Sequence, residues 1–204
     1  MSDRIRICIA LSGGGTSLQN LLDRIEAGTL PVEIAAVVSS RADANGLVRA
    51  QEAGIPHATF DVRSYPDLES YGSAIFTYVR EHGAAWVALA GFLKRLWIPP
   101  DFEWNVLNIH PALLPAHGGK GMYGDHVHRA VLAAGDRESG CTVHLVDQEY
   151  DRGPILLQKR VPVLPGDSVE SLRERVMAAE REAYPEVLTR IACDPLFRIP
   201  PATS

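Results

Sequence analysis

Short apolar segments alternate with amphipathic segments through the first half of the chain. The apolar segments cover residues 5–11, 32–40, 55–60 and 86–90. Nearly continuous apolar runs of this length are typical of strands that are buried on both faces. Between them, apolar residues recur at helical spacing, as at Leu18, Leu21, Leu22 and Ile25. Strands that alternate with helices form right-handed βαβ units, so the pattern predicts an α/β fold with a mostly parallel central sheet and helices on both faces.

The second half of the chain predicts a different strand arrangement. Residues 140–146 and 155–163 have the composition of strands, and only a short polar turn that ends at Gly153 separates them. A connection this short favours an antiparallel hairpin, because parallel strands need a longer crossover. Residues 167–192 predict a long helix that begins with a capping box of Asp167 and Glu170. The expected fold is therefore a mixed sheet with an antiparallel C-terminal part.

Composition limits the classes of protein that this chain can represent. Its 204 residues fit a single domain, which we expect over residues 1–192, followed by a loosely attached tail over 193–204. No apolar run approaches the roughly 20 residues of a membrane span, and the start of the chain lacks the apolar region of a signal peptide. The net charge of -5 argues against general nucleic-acid binding. Three widely spaced cysteines indicate neither a disulfide framework nor a zinc site, so we expect a cytoplasmic protein.

A glycine-rich loop lies between the first strand and the first helix. Strand, glycines and helix N-terminus together form an arrangement whose free N–H groups can bind an anion. Leu18 occupies the position where a dinucleotide-binding loop has its third glycine, and the loop lacks the lysine of a Walker motif. A monophosphate is the better fit, and a side chain at Gly15 would fill its space; a tight turn that binds nothing is the alternative. The candidate binding residues are Gly13, Gly14, Gly15, Thr16 and Ser17.

Two other patterns suggest ligands of different classes. Arg41 follows the second strand, where an arginine can hold the 2′-phosphate of NADP, but the missing third glycine argues against a nicotinamide enzyme. His117, His126 and His128 lie near Asp125 and resemble a metal-binding group. His126 and His128 would diverge on a helix, since residues two apart do not share a face. Structural or surface roles are the stronger interpretation for these histidines.

Asn108 and His110 lie at the end of a short strand that begins at residue 106. Residues two apart on a strand point to the same side, so the carboxamide and the imidazole lie next to each other. Pro111 restricts the backbone of His110 and holds the pair. A carboxamide N–H can stabilise an oxyanion, and an imidazole can move a proton near neutral pH. A polar strand end with a hydrogen-bonded histidine is the alternative.

The sequence Asn-Ile-His-Pro-Ala-Leu-Leu-Pro over residues 108–115 resembles the catalytic motif of folate-dependent formyltransferases. The similarity extends from about residue 5 to about residue 191. The resemblance implies a Rossmann-like formyltransferase fold. It also implies transfer of a formyl group from the co-substrate 10-formyltetrahydrofolate to the amine of glycinamide ribonucleotide in purine biosynthesis, with no metal.

The resemblance assigns catalysis to Asn108, His110 and Asp151. Asp151 lies in a turn beside Gly153, so a solvated turn residue is its simplest explanation. As a catalytic residue it would raise the pKa of His110 and so stabilise the charged imidazole. The glycine-rich stretch 116–124 varies within the family and is expected to be a mobile loop that excludes water from the site.

The resemblance also assigns the binding residues. Pro111 and Glu180 join the glycine loop as ribonucleotide-binding residues; Glu180 lies on the apolar stripe of the last helix and needs a partner, for which a core arginine is the alternative. Leu68 stands where the family often carries an arginine that meets the folate tail. The folate-binding candidates are Leu93, Lys94, Arg95, Leu96, Asn108, Val146, Asp147 and Asp151.

Two related activities and one unrelated class compete with this interpretation. Methionyl-tRNA formyltransferases carry a further basic C-terminal domain. Formyltetrahydrofolate hydrolases usually carry an N-terminal regulatory domain. The length of this chain favours neither family. A non-catalytic nucleotide-binding module is disfavoured because all three catalytic positions match. The expected partners are small-molecule substrates, with no nucleic acid and no membrane, and the protein is expected to be a monomer or a homodimer.

Overall fold

The computed structural model describes residues 4–194 and residue 197. The strands are β1 (Ile5–Leu11), β2 (Val32–Ser39), β3 (His57–Thr59), β4 (Trp86–Leu89), β5 (Val106–His110), β6 (Glu138–Leu145) and β7 (Ile155–Pro162). The helices are α1 (Thr16–Glu26), α2 (Asn45–Glu52), α3 (Leu68–Glu81), α4 (Asp125–Ala134) and α5 (Val169–Cys193). Most of the tail expected at 193–204 lies outside the described residues. Over the described residues, no helix combines the length and the apolar character needed to cross a membrane.

The strands form a mixed seven-stranded sheet in the order β3-β2-β1-β4-β5-β6-β7. β1 pairs in parallel with β2 and β4, and β2 pairs in parallel with β3. β6 and β7 pair antiparallel. The predicted α/β class is therefore confirmed, and so is the antiparallel hairpin that the short connection suggested.

The described chain divides into two compact units. The first unit contains residues 4–107 and the end of α5 from residue 188, and the second contains residues 108–187. The sequence led us to expect one domain over residues 1–192, and that expectation stays a prediction.

The core of the first unit is built around β1. Every side chain of β1 from Ile7 to Leu11 is fully buried, as expected for a strand that is covered on both faces. Tyr71 and Phe76 on α3 and Trp86 on β4 are its largest buried side chains. Each large apolar side chain buried in this way contributes about 1.5–3 kcal/mol. The end of β1 is consequently a well-fixed point, and the glycine loop begins immediately after it.

The core of the second unit lies between β6 and the apolar stripe of α5. All of β6 except Glu138 is buried, whereas β7 is mostly half-exposed. The predicted stripe of α5 is buried and consists of Leu172, Val176, Ala183 and Val187. Gly140 permits the pairing of β6 with β7, because a Cβ there would collide with the carbonyl oxygen of Lys159. The turn after β6 carries Asp151.

The start of α5 differs from the predicted capping box. The N–H of Ser171 donates to Oγ of Ser168 at 3.1 Å, and the N–H of Ser168 donates to Oγ of Ser171 at 3.0 Å. The Asp167 carboxylate instead accepts from Arg175 at 2.7 Å, and Glu170 lies 3.5 Å from Arg173. The prediction of Asp167 and Glu170 as the box was wrong by one residue, because a nearby arginine occupies the Asp167 carboxylate. The kink expected at Pro185 stays a prediction; α5 continues past it.

Candidate active site

In the first unit, hydrogen bonds fix the beginning of the glycine loop. The hydroxyls of Ser12 and Ser40 are 2.6 Å apart and hydrogen-bonded, which joins the residues that follow β1 and β2. Oγ of Ser12 also accepts the N–H of Leu93 at 2.9 Å. Both serines are buried, so these bonds are protected from water. The position of the loop is thereby tied to two neighbouring segments.

Contacts from α2 set the direction of the loop peptides. The N–H of Gly46 donates to the carbonyl of Gly13, and Nε of Arg49 donates to the carbonyl of Gly14, both at 3.0 Å. In a planar trans peptide, the N–H of the next residue points opposite to the carbonyl. The N–H groups of Gly14 and Gly15 therefore point away from α2. Within residues 4–194 and 197, neither of them donates a hydrogen bond, so both are available to an anion.

Gly15 has a structural role that the sequence interpretation did not foresee. Its φ is 70°, in the left-handed region, where glycine is favoured. A Cβ there would lie 2.6 Å from Cα of Gly46, so a side chain would press on α2. The expectation that a side chain at Gly15 would fill the space of the anion is therefore wrong. A Cβ at Gly13 or Gly14 would meet nothing within 4 Å, so those two positions border open space.

The predicted folate-binding residues fall into separate segments. In the first unit, Leu93, Lys94 and Arg95 are exposed, whereas Leu96 is buried. Leu68 is 37% exposed, and the nearby Arg63 is paired with Asp61 at 2.6 Å. In the second unit, Val146 and Asp147 are half-buried, and the Asp147 carboxylate accepts the N–H of Glu149 at 2.8 Å. Asp147 therefore stabilises its own turn, and the folate roles of these residues stay predictions.

The second unit brings Asn108, His110 and Asp151 together. Nδ1 of His110 lies 3.6 Å from Oδ2 of Asp151, and Nδ2 of Asn108 lies 3.4 Å from Oδ1 of Asp151. Asn108 and His110 come from the end of β5, and Asp151 comes from the turn between β6 and β7. The φ of Asp151 is 57°, a left-handed conformation that aspartate adopts more readily than most residues. The turn thus directs the Asp151 carboxylate at the two β5 side chains.

His144 also belongs to this cluster, although the sequence analysis gave it no role. Its Nδ1 donates to the carbonyl of Leu145 at 2.8 Å, which leaves Nε2 as an acceptor for the amide of Asn108 at 3.1 Å. Nε2 is also 3.6 Å from Oδ1 of Asp151. A sequence signal was present, because strand alternation places His144 with Thr142 on one face of a buried strand directly before the Asp151 turn.

The hydrogen bonds of His110 determine which of its nitrogens can take a proton. Nε2 is 2.8 Å from the carbonyl oxygen of His117. A carbonyl can only accept, so Nε2 carries the hydrogen. In the neutral ring, Nδ1 then has the free lone pair and faces Asp151.

Burial controls the charge of His110. Burial lowers its pKa, and the nearby Asp151 and the hydrogen bond to His117 oppose this effect without cancelling it. Asp151 raises the pKa of His110, as expected, but burial has the larger effect, so the net pKa lies below its usual value. Burial would raise the pKa of Asp151, but His144, the charge of His110 and the N–H of Gly119 together hold it below its usual value. At neutral pH the pair consists of a neutral imidazole and a carboxylate.

A short segment, residues 117–119, supports both members of this pair. The carbonyl of His117 accepts from His110, and the N–H of Gly119 donates to Oδ2 of Asp151 at 2.9 Å. Gly118 must be small, because a Cβ there would lie 2.6 Å from a methyl group of Leu114. The loop 116–124 was expected to cover the site; its first half instead holds the catalytic side chains in place. Mobility of the remainder stays a prediction.

Glu180 lies on α5 with no hydrogen bond or ion pair to any residue that the structure describes. Burial raises its pKa to about 7, and the charge of Arg181 opposes the shift. The alternative of a core arginine partner therefore finds no support. A carboxylate left in this state is available to a polar ligand. Pro111, the other ribonucleotide candidate of this unit, is half-buried directly after His110.

The histidines that resembled a metal site have separate partners. His117 pairs with Asp136, the ring of His126 packs edge-on against Tyr123, and His128 is buried on α4. In the described part of the chain, no group of three or more potential metal ligands comes together.

A family model described as formyl transferase matches residues 5–188 of the chain. The chain belongs to the formyl transferase family. The match includes both units of this formyl transferase and contains all three of Asn108, His110 and Asp151.

Individual relatives agree with the family match. The phosphoribosylglycinamide formyltransferase of Haemophilus influenzae is 39% identical over 90% of this chain and 85% of its own length. The trifunctional purine biosynthetic protein adenosine-3 of Drosophila pseudoobscura is 39% identical over 96% of this chain, which spans only 14% of that longer protein. The crystal structure of glycinamide ribonucleotide transformylase 1 from Symbiobacterium toebii superposes with a TM-score of 0.87 at 41% identity. That match covers 94% of this formyl transferase and 89% of the Symbiobacterium chain.

Proposed function

We propose that the protein transfers the formyl group of 10-formyltetrahydrofolate to the amine of 5′-phosphoribosylglycinamide. The products are formylglycinamide ribonucleotide and tetrahydrofolate, in de novo purine biosynthesis. The observation that carries the proposal is the cluster of Asn108, His110 and Asp151, where the Asp151 carboxylate lies 3.4 Å from the amide of Asn108 and 3.6 Å from the neutral imidazole of His110. The family supports a folate-derived formyl donor, and the relatives named for this ribonucleotide support the acceptor.

Asn108 is assigned to the oxyanion. The substrate amine attacks the formyl carbon, and the carbonyl oxygen becomes negatively charged in the tetrahedral intermediate. Nδ2 of Asn108 has two hydrogens: one is held by His144 at 3.1 Å, and the other makes a long contact of 3.4 Å with Asp151. The long contact is weak, so that hydrogen can turn to the oxyanion while His144 keeps the amide oriented.

His110 and Asp151 are assigned to proton transfer. The attacking amine must lose a proton, and the folate nitrogen must gain one when its bond to the formyl carbon breaks. Nδ1 of His110 has the free lone pair that can take the proton, and Asp151, 3.6 Å away, stabilises the imidazolium that forms. Asp151 also orders a water that carries the proton from the amine. Both groups begin in the protonation states that these steps require.

The binding residues complete the proposal. In the first unit, the N–H groups of the loop from Gly13 to Ser17 bind the 5′-phosphate; in the second, Pro111 contacts the ribonucleotide and Glu180 accepts hydrogen bonds from its polar groups. Folate is bound by Leu93, Lys94, Arg95, Leu96, Asn108, Val146, Asp147 and Asp151. Residues 1–192 act as one functional domain, since the family match includes both units. The protein acts in the cytoplasm, consistent with its three free cysteines, as a monomer or a homodimer.

One experiment separates transfer from hydrolysis. The protein is mixed with 10-formyltetrahydrofolate, with and without the ribonucleotide, and tetrahydrofolate formation is measured. We expect turnover that requires the ribonucleotide and gives one formylated product per tetrahydrofolate. Equal turnover in its absence would identify a hydrolase, and a lack of turnover in both mixtures would contradict the proposal.

A further inference from the structure

We propose that the hydrogen-bonded pair of His117 and Asp136 is a positioning device that sets the catalytic geometry of His110 and Asp151. The inference rests on the proposed function, because it assigns a role in the same proton transfer. Both residues act through the main chain of residues 117–119. His117 and Asp136 are therefore positioning residues and not catalytic ones.

The first step of the argument is that the catalytic pair depends on main-chain atoms. His110 donates to the carbonyl of His117, and Asp151 accepts from the N–H of Gly119. These two groups are separated by one residue, Gly118, so any rotation of the segment moves both. The segment thus sets two things together: which nitrogen of His110 carries the hydrogen, and how the Asp151 carboxylate is oriented.

The second step concerns the backbone of His117. Its φ is 53°, in the left-handed region that non-glycine residues seldom occupy. Such a conformation persists only when the surroundings hold it. The two residues that follow are glycines, which add little stiffness of their own. Besides the main-chain hydrogen bonds to His110 and Asp151, a contact made by the His117 side chain can supply the constraint.

The third step identifies that contact. Nε2 of His117 donates to Oδ2 of Asp136 at 2.6 Å, a short charge-assisted bond. The backbone N–H of Asp136 donates to the carbonyl of Val131 at 3.3 Å, directly after Gly135 closes α4, so the carboxylate is attached to the end of a helix. The pair lines a cavity of about 320 Å³, with side-chain exposures of 18% for His117 and 40% for Asp136. Both side chains of the pair are accessible enough to be substituted without disturbing the core.

The chemical consequence follows from the two nitrogens of His110. If the pair is broken, the segment relaxes and the carbonyl of His117 moves away from Nε2. The hydrogen can then shift to Nδ1, where Asp151 is the nearest acceptor. A ring with its hydrogen on Nδ1 cannot take a proton from the amine at that nitrogen. The rate of the chemical step should fall, whereas substrate binding should change little.

The test compares four variants by steady-state kinetics. His117→Ala and Asp136→Ala remove the bond, and we expect kcat to fall about 10- to 100-fold, the scale for a small displacement of a catalytic group. Asp136→Asn keeps an oxygen that accepts from His117, so kcat should stay within about threefold of the original. Arg137→Ala is the matched control, because Arg137 lines the same cavity and should leave kcat unchanged. KM for both substrates should move by about twofold or less in all four variants.

A second readout separates positioning from a merely structural contribution. Nitrogen NMR of the His110 side chain reports which ring nitrogen carries the hydrogen. We expect the hydrogen on Nε2 of His110 in the original protein and in Asp136→Asn. In Asp136→Ala, we expect a mixture of rings with the hydrogen on Nε2 and rings with the hydrogen on Nδ1. If a folded Asp136→Ala protein keeps its kcat and keeps the hydrogen on Nε2 of His110, the inference is overturned. If the original protein formylated no ribonucleotide, the proposed function would fail, and the NMR comparison would still decide the positioning role.

Discussion

Asp151 contacts four groups with two carboxylate oxygens. Oδ2 faces His110 and accepts from Gly119, and Oδ1 faces Asn108 and His144. This crowding keeps the carboxylate ionised despite its burial, since the surrounding groups hold its pKa low. A solvated turn residue would have none of these contacts, so the geometry favours a chemical role for Asp151.

We expect Asp151→Asn to lower kcat by about two or more orders of magnitude, the usual scale for losing acid–base assistance. KM should change much less, because the lost interaction forms mainly in the transition state. Asp151 raises the pKa of His110 against burial, so its loss should lower that pKa further and move the acidic limb of the rate profile to lower pH. Rate profiles of both proteins measure this shift. Normal turnover of the variant from about pH 6 to about pH 9 would make Asp151 a turn residue only.

Glu180→Gln should separate stability from binding. The folded-state pKa of about 7 is above the ordinary 4.5, so the stability that the protonated carboxyl contributes is present below about pH 4.5 and lost as the pH rises through about 7. Because Glu180 is partly exposed, we expect the variant to be more stable by about 2–3 kcal/mol at about pH 8, measured by chemical denaturation.

The same substitution should weaken ribonucleotide binding, because an ionised carboxylate is the stronger acceptor. In the original protein, ribonucleotide KM should fall as the pH rises through about 7; in Glu180→Gln, it should be flat. Glu170→Ala, on an exposed face of the same helix, is the control and should leave KM unchanged. Unaltered ribonucleotide affinity in Glu180→Gln would assign Glu180 to structure alone.

The sequence predicted some of these residues and not others, for a physical reason. The spacing of Asn108 and His110 on a strand end suggested them as candidates, and the resemblance to folate-dependent formyltransferases added Asp151, which its turn alone does not distinguish from a solvated residue. The contacts of His144 and Gly119 join segments that are distant in the chain, and no local pattern reports such pairing. The effect of Asp151 on the pKa of His110 was predicted, but the larger effect of burial was not, since burial depends on packing that the neighbouring residues in the sequence do not reveal.

At the scale of elements, the glycine loop depends on α2 as much as on α1. Arg49 and Gly46 on α2 orient the loop carbonyls, and Gly15 lies against Gly46. The sequence predicted strand, loop and helix correctly. It did not predict the support from α2, because the order of elements does not reveal which helix packs behind a loop.

Gly14→Val should test the loop without disturbing α2. A Cβ at Gly14 meets nothing within 4 Å, so the added side chain enters the space where the phosphate would bind. Loss of charge-assisted bonds worth about 1.5–3 kcal/mol predicts a ribonucleotide KM roughly 10- to 100-fold higher, with folate binding unchanged. Gly15→Val should instead lower the melting temperature, since its side chain would press on Gly46. Equal weakening of both substrates in Gly14→Val would count against the phosphate assignment.

The boundaries of most elements were close to those expected, because alternating buried strands and amphipathic helices give strong local signals. The antiparallel pairing of β6 and β7 followed from the length of their connection. The capping box of α5 was missed by one residue, since Asp167 and Ser168 are both good capping residues and only the position of Arg175 decides between them.

At the scale of the whole molecule, buried histidines should govern acid stability. Burial lowers the pKa of His110 and of His128; Asp125 opposes the shift at His128. The unfolded chain therefore binds these protons more readily than the folded protein does, and stability should fall as the pH drops below about 6.5. The pKa of Glu180 is raised, so protonation of Glu180 makes the folded protein more stable as the pH falls. Glu180 therefore cannot cause such a loss.

Chemical denaturation at about pH 7.5 and about pH 5.5 measures this effect. In a Glu180→Gln background, which removes the opposing titration of Glu180, the free energy of unfolding should be lower at the acidic value, and the difference should shrink when His128→Gln is added, because glutamine has no group to protonate. His57→Gln, at an exposed residue of β3, is the matched control and should leave the difference intact. An equal difference in His128→Gln would show that His128 is not responsible.

The main-chain support of His110 and Asp151 has a consequence for the evolution of related proteins. A carbonyl at residue 117 and an N–H at residue 119 are main-chain groups, so a side-chain change at Ala116 leaves both in place, whereas a change at His117 also removes its contact with Asp136. The length of this stretch is under a stricter constraint, because deleting one residue would change the spacing of the carbonyl and the N–H, so they could not both reach their catalytic side chains. Comparisons across species should therefore find deletions rare between Pro115 and Gly119, a small residue kept at Gly118, and changes at His117 accompanied by changes at Asp136.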